Sequence, residues 1–121
     1  ALKNRERYRS MSAFAPIAAP SQCPWGDKAF TGYLGGDRTA WLDYDATELV
    51  ARERYSDTIL IDQGTADKFL DEQLHPDRFA AACRASGTHL DLRYRDGYDH
   101  GYYFISTFMA EHLVFHAARL G

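Results

Sequence analysis

Two residues in this chain have the types and the local settings to exchange a proton. Asp67 follows the apolar run Thr58-Ile59-Leu60-Ile61 and the break Asp62-Gln63-Gly64, while His100 follows the run Leu90-Asp91-Leu92-Arg93-Tyr94 and the turn Gly97-Tyr98-Asp99. A carboxylate that accepts a hydrogen bond from one ring nitrogen of an imidazole fixes its tautomer and frees the other nitrogen to act as a general base. Each of the two sits just past the end of a predicted strand. In an open α/β sheet the loops leaving the carboxyl ends of parallel strands share one edge, and binding and chemistry collect there. Asp67 and His100 are therefore predicted to meet in space. On spacing alone, a surface acid and a helix-capping histidine stand beside that reading.

The elements that must carry the pair follow from pattern. Tyr8 to Ala15 alternates and is stopped by Pro16, which predicts a first strand entering a loop. Short helical pieces are predicted over Lys28 to Leu34, stopped by Gly35-Gly36, and over Thr39 to Tyr44. Asp45 then reads as the N-cap of Ala46 to Arg52, with Glu48 at the third helical position. After the Thr58 strand, Pro76 suits the first turn of a helix that runs to Ser86, where Gly87 supplies a left-handed cap, with Phe79, Ala82 and Cys83 on one side. Strand, helix and strand make a βαβ unit, whose crossover is right-handed and whose strands are parallel. Gly101 to Leu120 has apolar residues at Phe104, Ile105, Phe108, Met109, Leu113 and Phe115, the arc of an amphipathic helix laid across the sheet.

Composition narrows the class. With 121 residues and a formal charge of -3, the chain has enough length for one core and no basic excess for a nucleic-acid groove. Its apolar runs fall far short of the roughly 18 residues of a membrane span, and no secretory leader pattern opens it. Cys23 and Cys83 lack the spacing of a disulfide framework or a zinc clasp. A soluble, cytoplasmic protein with reduced thiols, no membrane partner and no nucleic-acid partner is the expectation. Ala1-Leu2-Lys3-Asn4 reads as the tail of a helix closed by Asn4, with Arg5 to Arg9 a charged surface link, as if cut from something longer.

Other candidate residues carry weaker signals. His112 and His116 are an i, i+4 pair, but Glu111-His112 reverses the zinc-protease order and no third ligand has suitable spacing, so packed, hydrogen-bonded histidines are expected and no metal. Asp62 at a strand end is expected to bond nearby backbone amides, and Asp99 to serve a turn or a cap. Cys83 reads as core, and His75 and His89 as solvated. Cys23, on a proline-flanked loop rather than a strand-to-helix elbow, makes a poor nucleophile.

Longer stretches of text carry a resemblance. Ser12-Ala13-Phe14-Ala15-Pro16, Cys23-Pro24-Trp25-Gly26, Lys28-Ala29-Phe30-Thr31-Gly32-Tyr33-Leu34-Gly35, Asp45-Ala46-Thr47, Ile59-Leu60-Ile61-Asp62-Gln63-Gly64 with Asp67, and Gly97-Tyr98-Asp99-His100 before Tyr102-Tyr103-Phe104 occur in that order. Together they resemble the C-terminal half of the S-formylglutathione hydrolase, or esterase D, family. The resemblance implies an α/β fold, the C-terminal portion of an α/β-hydrolase with three parallel strands and flanking helices, over residues 1–121. It implies a cofactor-free serine thioesterase acting on S-formylglutathione in formaldehyde detoxification, with Asp67 as acid and His100 as base. Trp25 is then a candidate to close the acyl pocket, and Phe69 and Tyr102, close in sequence to the pair, are candidates to line it, against core packing for each. Gly101 departs from the family, which usually has serine after the histidine.

An α/β-hydrolase relay runs serine, acid, histidine along the chain, with the serine in a Gly-x-Ser-x-Gly elbow. None of the serines here has those flanking glycines, and the family's elbow falls before Ala1. The expected partner is therefore the N-terminal half of the same domain, beside the small thioester, and the isolated chain is predicted to be inactive. The unpaired edge of the first strand invites a partner or a second copy, as in a homodimer. Two other readings stay open, a carboxylesterase or acyltransferase of the same fold and a non-catalytic interaction module.

Overall fold

The computed structural model describes residues 1–121. Three parallel strands, β1 (Met11–Phe14), β2 (Ile59–Gly64) and β3 (Leu90–Arg95), form one sheet in the order β1-β2-β3. Around them lie α1 (Pro24–Leu34), α2 (Arg38–Trp41), α3 (Ala46–Arg52), α4 (Pro76–Ser86) and α5 (Tyr102–Leu120). No helix is long and apolar enough to cross a membrane.

Register sorts the side chains to two faces. Met11, Ile59 and Leu90 stand in line, as do Ala13, Ile61 and Leu92. Because strand side chains alternate, these six share one face. They pack with Val50 of α3 and Phe79 and Cys83 of α4, so the expected apolar side of α4 is the one that meets the sheet. The opposite face carries Ser12, Phe14, Leu60, Asp62, Arg93 and Arg95, and α5 lies over it. Every residue of β2 is buried. Ile59, Leu60 and Ile61 each contribute on the order of 1.5–3 kcal/mol by leaving water.

Local chemistry explains most boundaries. Asp45 caps α3 through Thr47 and Glu48 amides at 2.9 and 3.2 Å, as its sequence position predicts. Pro76 opens α4 and Gly87, at φ 77°, closes it. Several expectations are corrected. The first strand is Met11–Phe14 rather than Tyr8–Ala15, because β2 offers its first partner, Ile59, only opposite Met11, and Ala15 turns away at φ 42°. Asp62-Gln63-Gly64 does not break β2; the strand runs through it because β3 extends alongside to Arg95. The helix expected at Lys28 begins at Pro24, since the Cys23 side chain accepts the Gly26 amide as a cap. The piece expected over Thr39 to Tyr44 is α2 followed by a 3-10 turn, Leu42–Tyr44. Asn4 begins a 3-10 turn, Arg5–Arg7, instead of ending a helix, and Arg5 is no free surface link because it donates to the carbonyls of Leu2, Leu49 and Arg54.

The apolar arc of α5 is narrower than its sequence pattern. Phe104 is buried and Ile105 and Phe108 pack beside it, but Met109 and Leu113 are exposed, and the helix centre seats His112 instead. His75, expected to be solvated, is half-buried in a left-handed conformation at the start of α4, while His89 is exposed.

Candidate active site

Asp67 lies just beyond β2 and His100 just before α5, and His100 Nδ1 stands 2.7 Å from Asp67 Oδ2. An ionised carboxylate only accepts, so Nδ1 carries the proton and donates. The Asp67 carboxylate is buried while the imidazole is about a third exposed, its side chain at 38%. Nε2 makes no hydrogen bond within the chain and is the nitrogen free to take a proton.

Two loops bring the pair together. The Thr65 amide donates to Arg95 O, the Ala66 amide to Tyr98 O, and Thr65 Oγ1 takes the Gly97 amide while bonding Asp96. Gly64 is required at the crossing, since a β-carbon there would overlap the Tyr98 carbonyl. Beyond the acid, the Phe69 amide donates to Asp67 Oδ1 at 2.9 Å, which closes the turn and fixes one carboxylate oxygen. Gln63 donates to the other, Oδ2, at 3.2 Å.

An aromatic wall continues from the imidazole. The Phe69 ring meets His100 edge-on at 5.4 Å between centroids, and Trp25 packs on Phe69 at 4.6 Å. Trp25 is held from behind, its amide donating to Gln73 Oε1 at 2.9 Å. A shallow groove of about 400 Å³ runs along α1 from Trp25 past Lys28 to Tyr33. Tyr102 does not join the wall: it is 88% exposed at the first position of α5, and no ring packs on it. Sequence reasoning brought Asp67, His100, Phe69 and Trp25 forward and missed Gln63, whose signal was a glutamine set at the end of an apolar run, and Gln73, which carried none. A larger cavity, about 560 Å³, lies elsewhere, between the N-terminal residues and α3, and is lined mainly by charged side chains.

A second acid–imidazole pair lies beneath α5 and corrects the expectation for Asp62. Its fully buried carboxylate bonds no backbone amide; it accepts from Arg93 Nε and Nη2, Arg95 Nε and His112 Nε2 at 2.8–3.0 Å. Burial alone would push this carboxyl up, but the bonds from Arg93, Arg95 and His112 together outweigh it and hold it below the ordinary carboxylate range. Burial pushes His112 down, and the pull of Asp62 does not restore it. The neutral ring therefore donates from Nε2 to Asp62 and accepts at Nδ1 from the Ser12 hydroxyl. That leaves His116 Nε2 to donate to Ser12 at 2.8 Å, with Ser10 bonded to His116 Nδ1 at 2.7 Å.

Ser12, His112 and Asp62 thus form a serine–imidazole–carboxylate string, but its setting is structural. Ser12 lies mid-strand under a helix, and two guanidinium groups already occupy the carboxylate. Both histidines are packed and hydrogen-bonded, as the sequence pattern predicts. No group of three or more His, Cys, Asp or Glu side chains could hold a metal ion. The Cys23 sulfur accepts the Gly26 amide as the α1 cap, and burial pushes the Cys83 thiol up to about 11, so Cys83 presents no thiolate.

Parallel strands with helices on both faces, and an acid and an imidazole on successive loops at their carboxyl edge, define this chain as part of an α/β-hydrolase fold. A family model named Esterase and described as "Putative esterase" matches residues 1–115, and the chain belongs to that family. It is 51% identical over 98% of its length to an S-formylglutathione hydrolase of Arabidopsis thaliana, and 54% identical over 99% to one of Rattus norvegicus. The solved structure of an S-formylglutathione hydrolase from Agrobacterium tumefaciens superposes on the whole chain with a TM-score of 0.95 at 54% identity. The chain spans 42% and 43% of the two curated relatives and 44% of the solved one.

Proposed function

We propose that Asp67 and His100 are the acid and base of a serine hydrolase relay that cleaves S-formylglutathione to formate and glutathione. Residues 1–121 make up the C-terminal half of one α/β-hydrolase domain, and the half before Ala1 supplies the nucleophilic serine and the oxyanion-hole amides. The observation that carries the reading is the 2.7 Å bond from His100 Nδ1 to a buried carboxylate, which leaves Nε2 without a partner at the carboxyl edge of the sheet. The names of the relatives support the substrate, and their length supports the missing half.

The chemistry follows from that bond. Nε2 takes the serine proton as the serine oxygen attacks the thioester carbonyl, and Asp67 stabilises the imidazolium that forms. The tetrahedral intermediate collapses by breaking its C–S bond, the glutathione sulfur leaves, and Nε2 returns the proton to it. A thiolate leaves far more readily than an alkoxide because its conjugate acid has a pKa of about 8.5. Water, deprotonated by the same nitrogen, attacks the formyl-serine ester, the C–O bond to serine breaks, and Nε2 returns the proton to the serine oxygen as formate leaves. Phe69 and Trp25 wall the side of the imidazole where a small acyl group would sit.

The test uses the full-length polypeptide that contains these residues. Asp67→Asn should lower kcat for S-formylglutathione by about 10⁴-fold, and His100→Ala by about 10⁶-fold. The isolated 121-residue chain should turn over neither the thioester nor a p-nitrophenyl ester. Turnover by that chain dependent on Asp67 and His100, or variants as fast as the parent, would overturn the reading. A clear preference for simple esters over the thioester would move the substrate while keeping the relay.

A further inference from the structure

Gln63 is fully buried at the penultimate position of β2, and its amide nitrogen donates to Asp67 Oδ2 at 3.2 Å and to the Gly64 carbonyl at 3.1 Å. Both partners only accept, so the amide can face them with its NH₂ group alone, and its orientation is settled by chemistry. The oxygen, Oε1, is then turned away, buried and without a partner. An apolar side chain of the same volume would fill this space without burying an unmatched acceptor. The donor is what an amide adds here.

Asp67 shows what that donor does. Oδ1 is held by the Phe69 amide, while Oδ2 takes both His100 and Gln63. With Gln63 present, the carboxylate plane is set by two groups that belong to its own loop and strand, independently of the imidazole it must orient. Without it, Oδ2 would be located only by the histidine.

We propose that Gln63 is a positioning residue that holds Oδ2 of Asp67 in line with Nδ1 of His100. The role deepens the relay reading and rests on it. The titratable groups facing the Gln63 amide are Asp67 and, through the shared oxygen, His100.

The test is steady-state kinetics of full-length Gln63→Met and Gln63→Glu against the parent and Asp67→Asn. Gln63→Met should lower kcat about 10- to 100-fold with KM within about twofold, the usual effect of removing a partner behind an active group. Gln63→Glu restores the donor only while its carboxyl is protonated; once ionised it sets a second negative charge beside Asp67. Its kcat should lie nearest the parent at acid pH and fall as pH rises, a limb absent from the parent and from Gln63→Met. A role in packing alone would lower thermal stability and leave the pH profile of Gln63→Glu superimposable on the parent. That profile, or a kcat for Gln63→Met within twofold of the parent, would overturn the proposal, and the Gln63→Glu profile decides the matter if Gln63→Met does not fold. If Asp67→Asn loses turnover while Gln63→Met stays within twofold of the parent, the Gln63 role alone falls; if Asp67→Asn is fully active, the relay falls and takes this role with it.

Discussion

Gly64 passes so close to the Tyr98 carbonyl that no β-carbon fits between them, and that crossing is where the loop bearing Asp67 meets the loop bearing His100. Adding one methyl group at Gly64 must push apart the two loops that the Ala66-to-Tyr98 hydrogen bond ties together. Gly64→Ala in the full-length polypeptide should therefore lower kcat by about 100-fold or more, the scale of an ångström-sized misplacement. Stability should fall by about 1–3 kcal/mol. Kinetics with a urea titration measures both, and parent-like turnover would mean that the crossing does not set the acid–imidazole geometry.

Phe69 touches both sides of the site, its amide on the acid and its ring against the imidazole. Phe69→Ala keeps the amide and removes the ring, so it separates the two contacts. The expected outcome is a loss of kcat well short of that of Asp67→Asn, together with a weaker Trp25 contact, readable as a shift in tryptophan fluorescence. A loss as large as that of Asp67→Asn would place the ring's contribution on a par with the carboxylate's.

Asp62 anchors α5 through two guanidiniums and one imidazole, with Glu111 bridging Arg93 and Arg95 from the helix. Asp62→Ala leaves the cations facing each other without the buried anion, and should cost on the order of 3–5 kcal/mol. Because α5 starts directly after His100, activity should fall as well. Equilibrium unfolding in urea reads the first effect, and a midpoint unchanged from the parent would mean that the helix is held by Phe104 and its apolar neighbours instead.

Acid should weaken the fold in two stages. His112 is lower in the folded protein than in the unfolded chain, so the unfolded chain takes up the extra proton. The contribution is complete above the unfolded-state value of about 6.5 and is lost as pH falls below it. Asp62 is also lowered, and its contribution is complete above about 3.9 and lost as pH falls through its folded value. The urea midpoint should decline from pH 7 to pH 5, and His112→Gln, which keeps a donor for Asp62 without a titrating ring, should flatten that part of the decline. A midpoint independent of pH over that range would contradict the buried neutral imidazole.

Asp45 gives the most local of these tests. It is fully buried, caps the Thr47 and Glu48 amides, and also accepts from the Ser21 amide and hydroxyl at 2.9 and 2.6 Å. Asp45→Ala should cost more than the roughly 1 kcal/mol of an ordinary cap, because it also frees a loop 24 residues away. Thermal unfolding of Asp45→Ala beside Glu48→Ala checks it; equal losses would reduce Asp45 to an ordinary cap.

The sequence by itself determined the features that depend on local backbone chemistry and on period. Asp45 as a cap, Pro76 and Gly87 as the ends of α4, and the placing of Asp67 and His100 after neighbouring parallel strands all follow from residue type and order. Only the tertiary structure decided where polar groups go once they are buried. Asp62 reads as a turn residue because its partners, Arg93, Arg95 and His112, lie 31 to 50 residues away. Gln63 reads as part of a break after a strand because its carboxylate partner is reached only when the loop after β2 folds back. Tyr102 and Phe69 look alike as neighbours of the pair, yet helix geometry turns one to solvent and the turn at Asp67 sets the other against the imidazole. Hydrophobic period specifies which face of an element is covered, whereas hydrogen-bond partners distant in the chain are chosen by packing, and that choice appears only in three dimensions.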